Sequence, residues 1–330
     1  RPERGEPRLP TGTGGSVNGV TAGRSAGRDR LALASSPPAE RPRDWASFEP
    51  SYPFPTPGLL VGRQDDLLAI QHTIERGRRG GQTITIGAPA GTGKSALAGM
   101  LVAQARAQGV LCLAGGSFDD DRPTLYGPIR DALADFLLAQ PPEELQDELG
   151  EQLADLAPIV PELRYHLPDL RDRADGPLDP RRLLAAIHGL LRELAVPQPI
   201  LICLDDVHAA DDATLELFHY LARQTRRLRV TLVATYRTEE VPVNRGLSRL
   251  LHGLAREGVS QEIVLRPLQR QETQTLMTSL LGGPVGEPLA DALYEVTEGN
   301  PLFIEQLTLA LREERRIERR DGVWAQATLD

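Results

Sequence analysis

The 330-residue sequence predicts an α/β fold: a parallel sheet flanked by helices, followed by a smaller all-helical domain. Three observations carry this reading. Short β-branched or apolar runs alternate with stretches of helical periodicity, the pattern of a parallel sheet covered on both faces. Residues 200–204 form a continuous apolar run, as expected of a strand buried on both sides. From about residue 268 onward only helical periodicity is left, apart from a short hairpin signal at Asp321 and Gly322.

The elements follow in chain order. Residues 1–57 hold seven Gly and ten Pro with few apolar clusters, and read as a disordered linker. Within them residues 11–19 are glycine-rich, but no strand precedes them and no helix pattern follows, so they are linker too. Order is expected from about Gly58. Residues 64–76 place Leu67, Leu68, Ile70 and Ile74 at helical spacing, and 82–86 alternate as a strand. A helix over 94–108 puts Leu97, Met100, Leu101 and Ala105 on one face, and 110–113 is the next strand. Residues 124–170 read as helices broken by prolines. Asp179 and Pro180 form an N-cap and first turn, leading a helix with Leu183, Leu184, Ile187, Leu190, Leu191 and Leu194 in one stripe. After the strand at 200–204, Asp211 or Asp212 caps a helix carrying Leu215, Phe218 and Leu221. Residues 230–234 and 262–265 are the last strands. The expected boundaries are a linker at 1–57, a sheet domain at 58–267 and a helical domain at 268–330.

Composition narrows the classes of function. The net charge is -9, and residues 1–57 carry eight Arg against six acids, which leaves the rest of the chain at -11. An acidic body argues against direct nucleic-acid contact, which needs clustered cations. Cys112 and Cys203 lie in apolar runs and read as buried free thiols of a reducing compartment. No run of eighteen apolar residues and no signal peptide is present, so the expectation is a soluble, cytoplasmic protein without membrane contact. The chain opens on Arg1 and stops soon after a charged helix, and is expected to be a piece of a longer protein. Of 37 basic residues, Lys94 is the single lysine. A sequence this biased toward Arg keeps lysine where an ammonium is required.

Lys94 sits in Ala88, Pro89, Ala90, Gly91, Thr92, Gly93, Lys94, Ser95, between a strand and a helix. Gly91 and Gly93 let the backbone curl so that several N–H groups face a phosphate chain, and Ala90, Thr92 and Ala96 are counted with the loop's binding residues. Lys94 would reach the β- and γ-phosphates of ATP, and Ser95 would give a hydroxyl to Mg²⁺. Ala88 replaces the glycine usual at the head of such a loop. A second motif is the apolar strand ending in Asp205 and Asp206, which puts carboxylates beside the loop. Asp205 would position Mg²⁺ through its water shell, and Asp206 would orient or deprotonate the attacking water. Thr235, Tyr236 and Arg237 end the next strand, within reach of a γ-phosphate. His208 reads as a local structural residue. Arg223, Arg226, Arg227 and Arg229 suit a helix C-terminus better than a role on a neighbouring subunit.

Together these residues resemble the STAND class of P-loop NTPases within the AAA+-like branch, over about residues 58–328. The nearest resemblance is to the ATPase modules of large LuxR-type transcriptional regulators and related bacterial signalling proteins. Leu60, Val61, Gly62 and Arg63 look like the family's entry motif, which contacts adenine. Leu204 to Asp211 resembles its extended Walker B, with Ala209 where a Trp is common, and Thr235 to Arg237 resembles its first sensor. Glu298, Gly299, Asn300, Pro301, Leu302 and Phe303 are similar to its lid motif, and the resemblance implies that Pro301 touches the base. The same residues also suit a helix stop, N-cap and first turn. Asp321 to Trp324 resembles the segment before the family's winged-helix domain. The resemblance implies ATP/ADP and Mg²⁺ as ligands and effector domains elsewhere in the protein as partners, and leaves self-association on ATP binding open. It implies a slowly hydrolysing switch. The alternative is a ring-forming ATPase machine, for which no convincing trans arginine is present. A small-molecule kinase would need lid arginines that residues 231–237 do not supply.

Overall fold

Five short strands lie where the β-branched and apolar runs fall: β1 (Gln82–Ala88), β2 (Leu111–Gly116), β3 (Ile200–Asp205), β4 (Val230–Arg237) and β5 (Gln261–Val264). All pair in parallel, in the order β2-β3-β4-β1-β5. In this computed structural model the described residues are 45–55, 60–118, 124–170 and 178–327. They belong to the unit Pro42–Asp330; the other unit, Arg1–Arg41, and with it the glycine-rich stretch 11–19, lies outside the described residues.

The strands' side chains alternate between two cores. Leu111, Leu113, Ile200, Ile202, Leu204 and Leu232 face one, while Cys112, Leu201, Cys203, Val233, Ile84 and Ile86 face the other. The second core is closed by α1 (Gln64–Gly77) and α2 (Lys94–Ala107). The first is closed by α3 (Gly127–Leu138), α4 (Pro142–Leu156), the single turn α5 (Leu163–His166), α6 (Pro180–Leu194), α7 (Asp212–Gln224) and α8 (Arg245–Glu257). Burying both faces is why β3 tolerates no polar residue before its final Asp205. The expected caps are in place: Asp179 accepts from Arg181 N, and Asp211, not Asp212, caps α7 by accepting from Thr214 N. Both cysteines are free and buried, and burial pushes the Cys112 thiol up to about 12.

A third cluster joins α9 (Arg270–Leu281), α10 (Glu287–Thr297) and α11 (Pro301–Glu313). The hairpin signalled at Asp321 and Gly322 completes this helical region. Ile317 and Trp324, from the antiparallel strands β6 (Ile317–Arg320) and β7 (Val323–Gln326), pack into the same cluster. Asp321 (φ 49°) and Gly322 (φ 84°) make the two-residue turn between them, with the paired positive φ that a tight hairpin demands.

The expected linker needs a correction at its end. Trp45 is buried against Phe136, Phe48 meets the same ring, and Ser51 bonds Asp135 through its N–H and its hydroxyl. Residues 45–55 are part of the packed body. Their aromatic side chains bury enough apolar surface to hold a segment that, after a 3-10 turn at Trp45–Ser47, its prolines keep irregular.

Candidate functional site

β1 ends at Ala88 and α2 begins at Lys94, so the intervening loop must turn sharply. It does so through Gly91 (φ 76°) and Gly93 (φ 95°), both in the left-handed region. A Cβ at Gly93 would meet nothing within 4 Å, so glycine is needed there for its backbone angle alone. The Lys94 side chain is 5% exposed and folds back along the loop, donating to Ala88 O (3.3 Å) and Pro89 O (3.4 Å). Burial holds its ammonium below the usual lysine range. Asp206, Glu239 and Asp205 oppose that pull, and Arg237 adds to it. A buried cation whose hydrogen bonds go to neutral carbonyls is set up to gain from an anion. The first turn of α2 carries no acid, and its N–H groups and dipole favour negative charge at the same place.

Because β4 lies between β1 and β3, its end bridges the loop and the aspartates. The Thr235 hydroxyl accepts from Asp206 N (2.9 Å) and donates to Asp205 Oδ1 (2.5 Å). Asp205 is 2% exposed. Asp206 leaves the strand with φ 52° and ψ 45°, a left-handed conformation unusual for a residue with a Cβ. His208 is buried beside it, with Nδ1 3.7 Å from Asp206 Oδ1. Arg229 donates to the carbonyls of Ala195 and Val196, so it ties α6 to the sheet.

Two further segments close on the loop. Arg63 is almost fully buried, donates to Thr92 O (3.1 Å) and lies 3.8 Å from Asp66. Gly62 (φ 70°) makes the turn before it, and a Cβ there would stand 2.5 Å from the Glu272 carboxyl carbon. From the other side, Asn300 caps α11 by accepting from Leu302 N and donates its amide to Ala90 O (2.9 Å). Leu302 N also donates to Gly91 O (3.2 Å). The loop is thus held from α1 and from the α10–α11 turn at once.

Between these parts lies a cavity of about 500 Å³. Its wall includes Val61, Arg63, residues 90–96, Asp206, Arg237 and Pro301, and so brings together most of the residues singled out from sequence. Gly62 and Asp205 stand off the wall: the first shapes the turn behind Arg63, the second is buried beneath Thr235. Sequence reasoning missed Leu268, Leu276 and Leu280, apolar wall residues whose helical spacing looks like ordinary core. It also missed Glu239, whose carboxylate accepts from Ala90 N (2.9 Å). An acid two residues beyond a strand-end arginine carries no signal of its own in sequence.

The fold and this cavity define a P-loop NTPase module of AAA+-like type. A family model described as the AAA ATPase domain matches residues 59–233, over half of the chain, and the chain belongs to that family. Among curated proteins none matches it. Of solved structures, Cdc6p from Pyrobaculum aerophilum is similar at 15% identity and TM-score 0.51, over 80% of this chain and 65% of that one. The Walker-type ATPase of Pyrococcus abyssi gives 13% identity and TM-score 0.48, over 82% of this chain and 72% of that one. A Signal Transduction ATPase with Numerous Domains (STAND) protein with a tetratricopeptide repeat sensor, from Pyrococcus horikoshii, gives 18% and 0.45, over 76% of this chain and 30% of that one. The chain therefore spans about two thirds of the first two proteins' length and under a third of the last. At such identities the likeness is one of fold.

Proposed function

We propose that this chain is the ATP-binding, slowly hydrolysing switch module of a larger signal-transducing or transcription-regulating protein of the STAND class. The observation that carries the reading is the cavity's double wall. The phosphate loop forms one side, and Leu268, just before α9, with Leu276 and Pro301 of the C-terminal helices, forms the other. A ligand filling it would touch both parts, so its charge state can bias how they meet. In this reading the backbone from Ala90 to Ala96, with Lys94, takes the phosphates of ATP or ADP. Val61, Arg63 and Pro301 border the base, with Gly62 setting the turn before Arg63, and Ser95 would hold Mg²⁺ while Asp205, set back from the wall, would position it through its water shell. The left-handed loop glycines and the buried Lys94 support the fit of an anionic phosphate chain. Asp206 orients water, and Arg237 reads the terminal phosphate. Mg²⁺ would supply charge neutralisation at the phosphates when bound.

Lys94→Arg tests this. A guanidinium is broader than an ammonium and does not fit the loop as a point charge. Losing one charge-assisted contact costs about 1.5–3 kcal/mol, ten- to hundredfold in affinity. Calorimetry should therefore show ATP binding weakened by that factor with the melting temperature kept, and unchanged binding would remove the assignment. Turnover that is rapid and rises with protein concentration would favour an assembling ATPase machine instead. Tightly co-purifying ADP would favour the switch.

A further inference from the structure

Asp205 ends β3, and its register partner across the sheet is Gly116, the last residue of the edge strand β2. Gly116 has ordinary backbone angles, so its missing side chain needs another reason. A Cβ there would lie 2.1 Å from the Tyr52 hydroxyl and 2.5 Å from its Cζ. The absent side chain opens a passage over the sheet edge, and the Tyr52 hydroxyl passes through it to donate to Asp205 Oδ2 (3.3 Å).

The ring is fixed from several sides. Phe54 meets it edge-on at 4.7 Å, and Phe118 lies 6.3 Å away. Phe54 itself rests on α2 at Gly99, where an added Cβ would come 2.7 Å from the Phe54 Cβ. On the other side Ser51 is pegged to Asp135 of α3 by two hydrogen bonds of 2.6 and 2.7 Å. Glu49 pairs with Arg106 at 2.7 Å. The segment is therefore anchored to α3 and to α2, with Tyr52 held between them.

We propose that Tyr52 is a positioning residue for Asp205: with Thr235 it fixes the plane of the carboxylate that, from behind the cavity wall, would position Mg²⁺ through its water shell. Thr235 holds Oδ1 and Tyr52 holds Oδ2, so the carboxylate cannot rotate about its Cβ–Cγ bond. The Tyr52 bond is at the long end of the normal range and uses one lone pair, which leaves Oδ2 able to accept again. The inference rests on the proposed nucleotide site, and it adds a residue from a segment that lies before residue 59, where the family match begins.

The experiment measures ADP binding by calorimetry across a Mg²⁺ series, with thermal melting as a fold control. Outer contacts that orient a metal-facing group are worth about 10–100-fold in metal affinity. Tyr52→Phe, which removes one oxygen and keeps the ring, should raise the Mg²⁺ needed for half-maximal enhancement about tenfold or more. ADP affinity without Mg²⁺ should not move. Gly116→Ala should reproduce the effect by displacing the ring, and Tyr52→Ala/Gly116→Ala should be no worse than Tyr52→Ala alone. A Tyr52→Phe protein with the wild-type Mg²⁺ response, beside a defective Tyr52→Ala, would make Tyr52 a packing residue and overturn the proposal. If wild type itself binds ADP without regard to Mg²⁺, the Mg²⁺ role of Asp205 fails and this proposal with it; if Lys94→Arg binds normally, it is the nucleotide reading that fails.

Discussion

Asp206 holds φ at 52°, where a Cβ approaches the backbone and an L-residue is strained. Asp and Asn tolerate this region better than Ala because a short polar side chain can bond locally, and Gly has no Cβ to clash. The strain sits on a residue that lines the cavity and is the foremost counter-charge to Lys94. Strain kept at such a place fits a site that must aim a carboxylate. Three substitutions separate the backbone from the charge. Asp206→Asn should keep stability and ATP binding while slowing hydrolysis. Asp206→Ala should add a loss of about 1 kcal/mol, a fall of roughly 2–4 °C in melting temperature. Asp206→Gly should regain the stability and not the hydrolysis. If Gly melts no higher than Ala, strain at this residue is not the cause. Lys94 was legible in the sequence because it is the lone lysine at a loop that needs one, whereas the conformation of Asp206 was not, since φ follows from how β3 meets Thr235.

Elements show the same division. Strands β1, β3 and β4 were legible because β-branched and apolar runs leave few alternatives. The order of those strands was not: parallel strands joined by long crossovers pair with neighbours that no local pattern names. Residues 45–55 were misread because Pro50, Pro53 and Pro55 look like linker. A signal was there to find. The chain has only two Trp, six Tyr and six Phe, and Trp45, Phe48, Tyr52 and Phe54 are four of them.

At the same scale, the turn at Gly62 depends on the start of α9. Glu272 accepts from Gln269 N, closing a capping box, and pairs with both ends of Arg266 at 2.6 and 2.7 Å. Arg266, with help from Gln269 N and Arg63, holds the Glu272 carboxyl below the usual glutamate range. A carboxyl lowered on folding adds stability that is complete above its unfolded pKa and is lost as pH falls through the folded one. Glu272→Gln keeps an acceptor for the cap and removes the charge. It should cost only about 0.2–1 kcal/mol at neutral pH, since Arg266 is half exposed and screened. Urea titrations of both proteins should show that gap closing as pH drops below the ordinary glutamate range. A gap that is constant with pH would mean that the charge plays no part.

For the whole molecule the question is what joins the sheet to the C-terminal helices. The α10–α11 turn touches the phosphate loop through Asn300 to Ala90 O and Leu302 N to Gly91 O. Both bonds use the loop's carbonyls and none of its N–H groups. The contact and a nucleotide can therefore coexist, and the base would add a second bridge along the Pro301 face. Proline suits that place because its ring is apolar and its fixed φ costs little entropy to present. The two bridges come apart by mutation. Pro301→Gly removes the apolar face and keeps the Asn300 contact, so ADP binding should weaken by about 1–2 kcal/mol, the worth of one buried apolar contact. Its radius of gyration with ADP should also rise toward the nucleotide-free value. Asn300→Ala removes a helix cap and the bond to Ala90 together, so it should cost about 1 kcal/mol of stability and loosen the nucleotide-free form most. Scattering with and without ADP distinguishes them: Pro301→Gly should change the ADP-bound dimension, and Asn300→Ala the free one. If Pro301→Gly keeps full ADP affinity and the same compaction, residues 299–301 are a helix–helix turn and the switch must act elsewhere.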